Sequence, residues 1–223
     1  MNPKRKESEV FDYLCTHAYS DAFSDIMDEM GLREQVILPS AGIRPMMVDS
    51  VLMGRARTLL NDYDQNTDDP YKLAIECVDS MVENDIVVAS GQTPLEVGIM
   101  GELTATAVRS RGGRGAFING YSRDVRKILK MDFPLFAKGA SPIDTTGRVR
   151  VVAIDIPVVI GGQEINPGDL VFADMDGAVI LPRAHEVEII DRVMERIGTE
   201  DIVRDELGNG TRMREVWNKY QVL

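Results

Sequence analysis

Apolar positions recur at two periods along this chain, and the switch between them marks out the elements. From 8 to 31 the spacing is helical: Val10, Phe11 and Leu14, then Ala22, Phe23, Ile26, Met27 and Met30, which puts one apolar stripe toward a core. Ser20-Asp21 and Ser24-Asp25 are candidate caps for a second helix in this stretch, and Gly31 fits its C-terminal stop. VLMGRARTL at 51–59 reads as a strand. Leu73, Ile75, Cys77, Val78 and Met81 predict a helix over 70–83, entered from Asp68-Asp69-Pro70. DIVVASG at 85–91 is a short apolar run ending in a turn, as in a buried strand. A small-residue helix over 101–111 follows, broken by Gly113 and Gly115. Then come a strand running into a loop at 115–120, a helix over 124–131 and a strand at 133–139.

Strand and helix thus alternate through the middle of the chain. That pattern predicts an α/β fold with parallel strands and right-handed crossovers, in which ligands bind beyond the carboxyl ends of the strands. From 148 to 182 the rhythm changes. Short β-branched runs are punctuated by Gly161-Gly162, Pro167-Gly168-Asp169 and Asp176-Gly177, which predicts antiparallel strands with tight turns. Residues 184–205 read as a charged amphipathic helix, Asn209-Gly210 ends it, and TRMREVWNKY begins a last one. With no internal repeat or long linker, the expectation is a single domain over 1–223 with a helical C-terminal arm from about 184.

Composition narrows the function classes. At 223 residues and 44% hydrophobic the chain can bury a sizeable core. Its 25 Lys and Arg against 36 Asp and Glu give a net charge of −11. Such a surface repels phosphates, so nucleic acid and anionic membranes are not expected as partners. An anionic substrate would have to be met by locally placed arginines. Cys15 and Cys77 are too few for a disulfide framework and lack zinc-site spacing, so both read as small buried hydrophobes. The basic N-terminus, MNPKRKESEVFDY, has no apolar run after it, and no stretch nears the roughly 18 apolar residues of a membrane span. The location expected from this is cytoplasmic.

The segment GELTATAVRSRGGRGAFINGYSRD, Gly101 to Asp124, carries the candidate chemistry. Twenty residues, 103 to 122, separate Glu102 from Arg123. The alternating pattern returns both ends to one rim of the sheet. A hard dication takes oxygen ligands, often one or two carboxylates completed by water, so Asp124 and Glu102 suit such an ion. An adjacent arginine suits a bidentate grip on a carboxylate, and the first amides of the helix at Leu103 and Thr104 are donors for an anionic oxygen. The same residues also fit a plain helix start, with acids in a first turn and a neighbouring ion pair. Spacing alone leaves both open.

The segment resembles the signature of the family of regulator of ribonuclease activity A and the class II 4-hydroxy-4-methyl-2-oxoglutarate/4-carboxy-4-hydroxy-2-oxoadipate aldolases. The likeness extends to SDIMDEMG at 24–31, IRP at 43–45, GRART at 54–58, DFPLFAKG at 132–139 and GGQEINPGDLVFADMDGAVILP at 161–182. It implies an α/β/α sandwich of the swivelling phosphohistidine-domain type with a central mixed sheet, assembled as a homotrimer or homohexamer. It also implies a lyase dependent on magnesium or manganese that cleaves 4-hydroxy-2-oxo dicarboxylic acids to pyruvate and decarboxylates oxaloacetate. By the resemblance Asp124 is the metal ligand, Arg123 grips the pyruvate carboxylate and keto oxygen, and Glu102 orients a metal-bound water as base or proton relay. Gly101, Glu102, Leu103 and Thr104 bind the substrate, and Glu200 is the candidate acid from a neighbouring subunit.

Two positions depart from the family's pattern: Lys127 stands where an acid is usual, and Thr104 where a leucine is. The alternative is a non-catalytic regulator that binds ribonuclease E; those members lack an acid at the position of Glu102, and this chain has one. Arg148 is a candidate for a distal substrate carboxylate but equally a surface residue entering a strand. His17 and His185 stand isolated, Asp174 and Asp176 suit a turn, and Trp217 and Tyr220 suggest an apolar anchor in the last helix.

Overall fold

The structure, a computed structural model, describes residues 6–91 and 96–223. Two helices open it, α1 (Glu7–His17) and α2 (Ser20–Glu29). Two short strands follow, β1 (Val36–Ile37) and β2 (Arg44–Pro45), then the long β3 (Leu52–Tyr63). The alternating stretch holds α3 (Lys72–Asp79), β4 (Asp85–Gly91), β5 (Gly98–Met100), α4 (Glu102–Ser110), β6 (Gly115–Ile118), β7 (Tyr121–Ser122), α5 (Val125–Leu129), β8 (Leu135–Ala137) and β9 (Gly139–Ala140). Antiparallel material then forms β10 (Val149–Ile154), β11 (Val158–Ile160), β12 (Gln163–Ile165), β13 (Leu170–Ala173) and β14 (Ala178–Leu181), before α6 (Glu186–Gly208) and α7 (Met213–Tyr220).

The main sheet is mixed, in the order β1-β14-β13-β3-β4-β6-β8-β2, with β10 also on β3. Its centre, β3-β4-β6-β8, is parallel, and both flanks are antiparallel. β3 outruns the 51–59 expected from sequence because one edge finds two partners. Its Leu52–Arg55 part pairs with β13 and its Leu59–Tyr63 part with β10, so the backbone stays hydrogen-bonded where the apolar pattern has faded.

β4 is buried on both faces, as a central parallel strand must be. Ile86 and Val88 face one cluster with Leu52, Phe117, Phe136 and Ile180, while Val87 and Ala89 face another with Val78, Met100, Val108 and Ile128. A third cluster packs α1, α2 and the first half of α6 on β13 and β14, with Phe23 and Phe172 4.7 Å apart between ring centroids. Each such fully buried side chain contributes about 2 kcal/mol.

The helical pattern of 8–31 is cut at Ala18 and Tyr19, both extended. Neither serine-aspartate pair caps α2. Instead the Ser20 amide and hydroxyl both donate to the Asp174 carboxylate, at 2.7 Å each, from the β13–β14 turn. A cap supplied by a residue 154 positions away has no local signature. Gly31 does take the left-handed conformation after α2, with φ +79°. Among the described residues no helix is long and apolar enough to cross a membrane.

Candidate functional site

Three parallel strands of the main sheet each lead into a short strand: β4 toward β5, β6 toward β7, β8 toward β9. These three form their own small parallel sheet in the order β5-β7-β9. It joins the two ends of the 101–124 segment, because β5 delivers Gly101 and α4 while β7 delivers Arg123 and Asp124. The Arg123 amide donates to the Met100 carbonyl at 2.8 Å. Two glycines make the approach possible. A Cβ at Gly98 would stand 2.8 Å from Arg123 Cβ, and one at Gly101 would stand 3.0 Å from Arg123 Cγ and 3.1 Å from Asp124 Oδ2. Any side chain at Gly98 displaces the arginine.

Asp124 sits at φ +57°, in the left-handed region, at the start of α5. That conformation costs a non-glycine residue about 1 kcal/mol, least for Asp and Asn. The backbone holds it by hydrogen bonds from the Lys127 and Ile128 amides to the Asp124 carbonyl, at 2.8 and 3.3 Å.

Arg123 donates from Nη1 to Asp144 Oδ1 at 2.7 Å, and its Nε lies 3.7 Å from Asp124 Oδ2. Asp144 in turn accepts from the Tyr71 hydroxyl at 3.2 Å and the Thr146 amide at 3.3 Å. Burial pushes the Asp144 carboxyl up, but the hydrogen bonds from Thr146 and Tyr71 outweigh it and bring the group below its ordinary range. Asp144 thus lies on the guanidinium as a carboxylate.

Glu102 is the first residue of α4; it accepts from Thr106 Oγ1 at 3.2 Å and lies 3.8 Å from Lys127 Nζ. Among the described residues no side chain caps α4, and its first carbonyl partner is Gly101, bonded from Ala105. The amides of Glu102, Leu103 and Thr104 therefore have no acceptor within the helix.

A cavity of about 290 Å³ opens here, at the small end for a ligand site. Gly101, Leu103, Thr104, Arg123 and Asp124 line it, with Asn61, Tyr71, Asp144 and Arg150. Glu102 does not line it; its carboxylate turns toward Thr106 and Lys127. Among the described residues no three His, Cys, Asp or Glu side chains gather as a metal cage. A magnesium-type ion needs no such cage. The Asp124 side chain is 40% exposed, and the space in front of its Oδ2 is kept clear by Gly101, so the donor set suits a hard, largely hydrated dication rather than zinc.

The model for the RraA-like family, described as Aldolase/RraA, matches residues 20–180 of this chain. The chain belongs to the RraA-like family. It is 24% identical over 202 residues to protein DlpA of Legionella pneumophila, covering 90% of this chain and 32% of that one, so it spans about a third of that relative. It is 23% identical to a protein of Halalkalibacterium halodurans provisionally named 4-hydroxy-4-methyl-2-oxoglutarate aldolase, over 69% of this chain and 70% of that one. Among solved structures it resembles RraAS2 of Streptomyces coelicolor, described as an unusual member of the RNase ES inhibitor RraA protein family. The TM-score is 0.76 at 25% identity, covering 90% of this chain and 98% of that one.

The RraA-like match ends within β14, so α6 and α7 lie beyond it. Glu200, on α6, accepts from Arg196 Nε at 3.0 Å on its own helix, and burial raises its pKa. It does not line the cavity, and neither does Arg148, which donates to the Asp144 carbonyl at 3.2 Å. His17 stacks on Tyr13 and His185 stands at the start of α6. Cys77 is buried and Cys15 half-buried, and burial raises both thiols. Three residues of the lining, Asp144, Tyr71 and Arg150, carry no sequence motif. The only signal is the run Asp144-Thr145-Thr146-Gly147, which reads as a local turn.

Proposed function

We propose that this protein is a divalent-metal-dependent carbon–carbon lyase that releases pyruvate from 4-hydroxy-2-oxo acids. The reference substrate is 4-hydroxy-4-methyl-2-oxoglutarate, and oxaloacetate decarboxylation is a second activity of the same site. One observation carries the reading: Gly98 and Gly101 bring Arg123 and Asp124 together on the lip of a cavity, beside the first amides of α4, which have no acceptor within the helix.

Arg123 takes the substrate carboxylate in place of Asp144, and the Leu103 and Thr104 amides donate to the same group. Asp124 would hold the cation. Magnesium or manganese bound there supplies the electrophile that polarises the 2-oxo group. Glu102 accepts the C4-hydroxyl proton through a water, since its carboxylate stands outside the lining. As the C4 oxygen becomes the carbonyl of the departing second product, the C3–C4 bond breaks, its electron pair moves toward the 2-oxo group, and a proton returned to C3 gives pyruvate. The chain works as a single domain of the swivelling phosphohistidine-domain type, as a cytoplasmic homotrimer or homohexamer, with a small 2-oxo acid as its partner.

The likeness to RraAS2 supports a second reading, a non-catalytic regulator that binds a ribonuclease. The two separate in one assay. Purified protein with 4-hydroxy-4-methyl-2-oxoglutarate should form pyruvate with magnesium and stop with chelator. No pyruvate, together with inhibition of ribonuclease E, establishes the regulator instead.

A further inference from the structure

Four charged residues stand in the described lining of the cavity, two arginines and two aspartates: Arg123, Arg150, Asp124 and Asp144. A dication added to that set leaves two positive charges, which match a substrate with two carboxylates. The two arginines arrive from different elements, Arg123 from the junction of β7 with α5 and Arg150 from β10, the strand paired with the far half of β3. Arg123 grips Asp144 at 2.7 Å. Arg150 is held far more loosely. It lies 3.6 Å from Asp64 Oδ2, beyond hydrogen-bond reach, and donates to the Asp69 carbonyl at 3.5 Å, the outer limit. Its side chain is nevertheless only 19% exposed, so a carboxylate reaching it there competes with little water.

The inner wall offers a second carboxylate no cation: Leu59, Val78, Ala89, Met100, Ile118 and Val151 are all buried and apolar. An unpaired charge against that wall is strongly disfavoured. Arg148, the arginine singled out in the sequence for a distal carboxylate, does not line the cavity. We infer that Arg150 receives the second carboxylate of a 2-oxo dicarboxylic acid whose first carboxylate lies on Arg123. This rests on the 2-oxo acid reading of the same site and names how the far end of the substrate is held. The second carboxylate takes the place of Asp64 with two parallel hydrogen bonds, a grip that the present 3.6 Å approach does not make.

The test is binding, which needs no turnover. Calorimetric titration of the full chain with magnesium compares pyruvate, 2-oxoglutarate and 5-methyl-2-oxohexanoate, which puts an isopropyl group where 2-oxoglutarate has its second carboxylate. None has a C4 hydroxyl to cleave. In the parent chain 2-oxoglutarate should bind about tenfold or more tighter than the isopropyl analogue. Arg150→Gln should bring that ratio to one or below by weakening 2-oxoglutarate. Asp64→Asn removes the acid beside Arg150 but keeps the Oδ1 that accepts from the Asn66 amide at 2.7 Å; it should tighten 2-oxoglutarate severalfold and leave pyruvate alone. A parent ratio of one or less, or an Arg150→Gln chain that keeps the parent ratio, overturns the role of Arg150, while pyruvate binding leaves the 2-oxo acid site standing. Should Arg150→Gln fail to fold, Asp64→Asn decides, and no gain for 2-oxoglutarate overturns the inference. If none of the three acids binds the parent chain, the site reading falls and this inference falls with it.

Discussion

Arg55 and Arg123 each stand between two carboxylates, and the two settings have opposite consequences. Arg55, on β3, donates from Nε to Glu7 of α1 at 2.9 Å and from both Nη atoms to Glu186 of α6 at 3.1 Å. A further bond reaches the Gly168 carbonyl at 3.2 Å. Burial alone would lower its pKa, but the bonds it donates to Glu186 and Glu7 outweigh that and raise it. Both acids are on helices that β3 must hold, so the cluster is a clasp with its donors used up. Among the described residues Arg123 has one hydrogen bond to a carboxylate, Asp144, and a longer approach to Asp124, and it faces a cavity. A saturated guanidinium stabilises; one held by a single displaceable carboxylate can exchange it for a ligand.

The comparison can be broken at either end. The largest expected effect is Asp124→Asn, which keeps a residue tolerant of left-handed backbone but removes the charge. Pyruvate formation should fall at least a hundredfold with the circular dichroism spectrum unchanged; retained activity would remove Asp124 from the metal site. Arg55→Ala should act on stability instead. It leaves Glu7 and Glu186 facing each other without their cation, at a cost of about 3 kcal/mol. The thermal midpoint should drop by roughly 6–12 °C, with activity per folded molecule kept.

A smaller effect separates strain from chemistry. Asp124→Gly relieves the left-handed backbone at φ +57°, so thermal unfolding should show a stability unchanged or raised by up to about 1 kcal/mol, while activity is lost. The smallest concerns Asp144. Its pKa is lowered in the folded state, so the stability it contributes is present above the unfolded carboxylate value near 3.9. That stability is lost as pH falls through the lower folded value. Asp144→Asn should therefore lower the urea midpoint at pH 7, and the gap to the parent chain should close below about pH 4.

Elements decided by their own residues were legible in the sequence. DIVVASG is buried on both faces and forms β4 at the expected residues. The alternation around it is a parallel sheet, and Gly31 stops α2. Features that depend on distant partners were not legible there. Asp174 caps α2 from across the fold, and β3 gains four residues from β10. The small sheet β5-β7-β9 is built of strands of two or three residues, too short for any period to register. At the candidate site, the meeting of Gly101 with Arg123 and Asp124 was legible from the alternating pattern. The position of Asp144 on Arg123 was not, because it arrives from a loop whose side-chain direction is set by Tyr71 and Thr146. Nor was the turn of Glu102 toward Lys127, which needs α5 placed beside α4.

The central claim is that Arg123, unlike Arg55, exchanges its carboxylate for a 2-oxo acid. Its most direct test is pyruvate release from oxaloacetate with magnesium by the parent chain, Arg55→Lys and Arg123→Lys, each rate corrected for folded fraction and for free metal. The account predicts turnover by the parent chain, near-parent turnover by Arg55→Lys and at least a tenfold loss in Arg123→Lys, because an ammonium cannot make the bidentate grip. A parent chain no faster than magnesium alone, or an Arg123→Lys chain as active as Arg55→Lys, would contradict it.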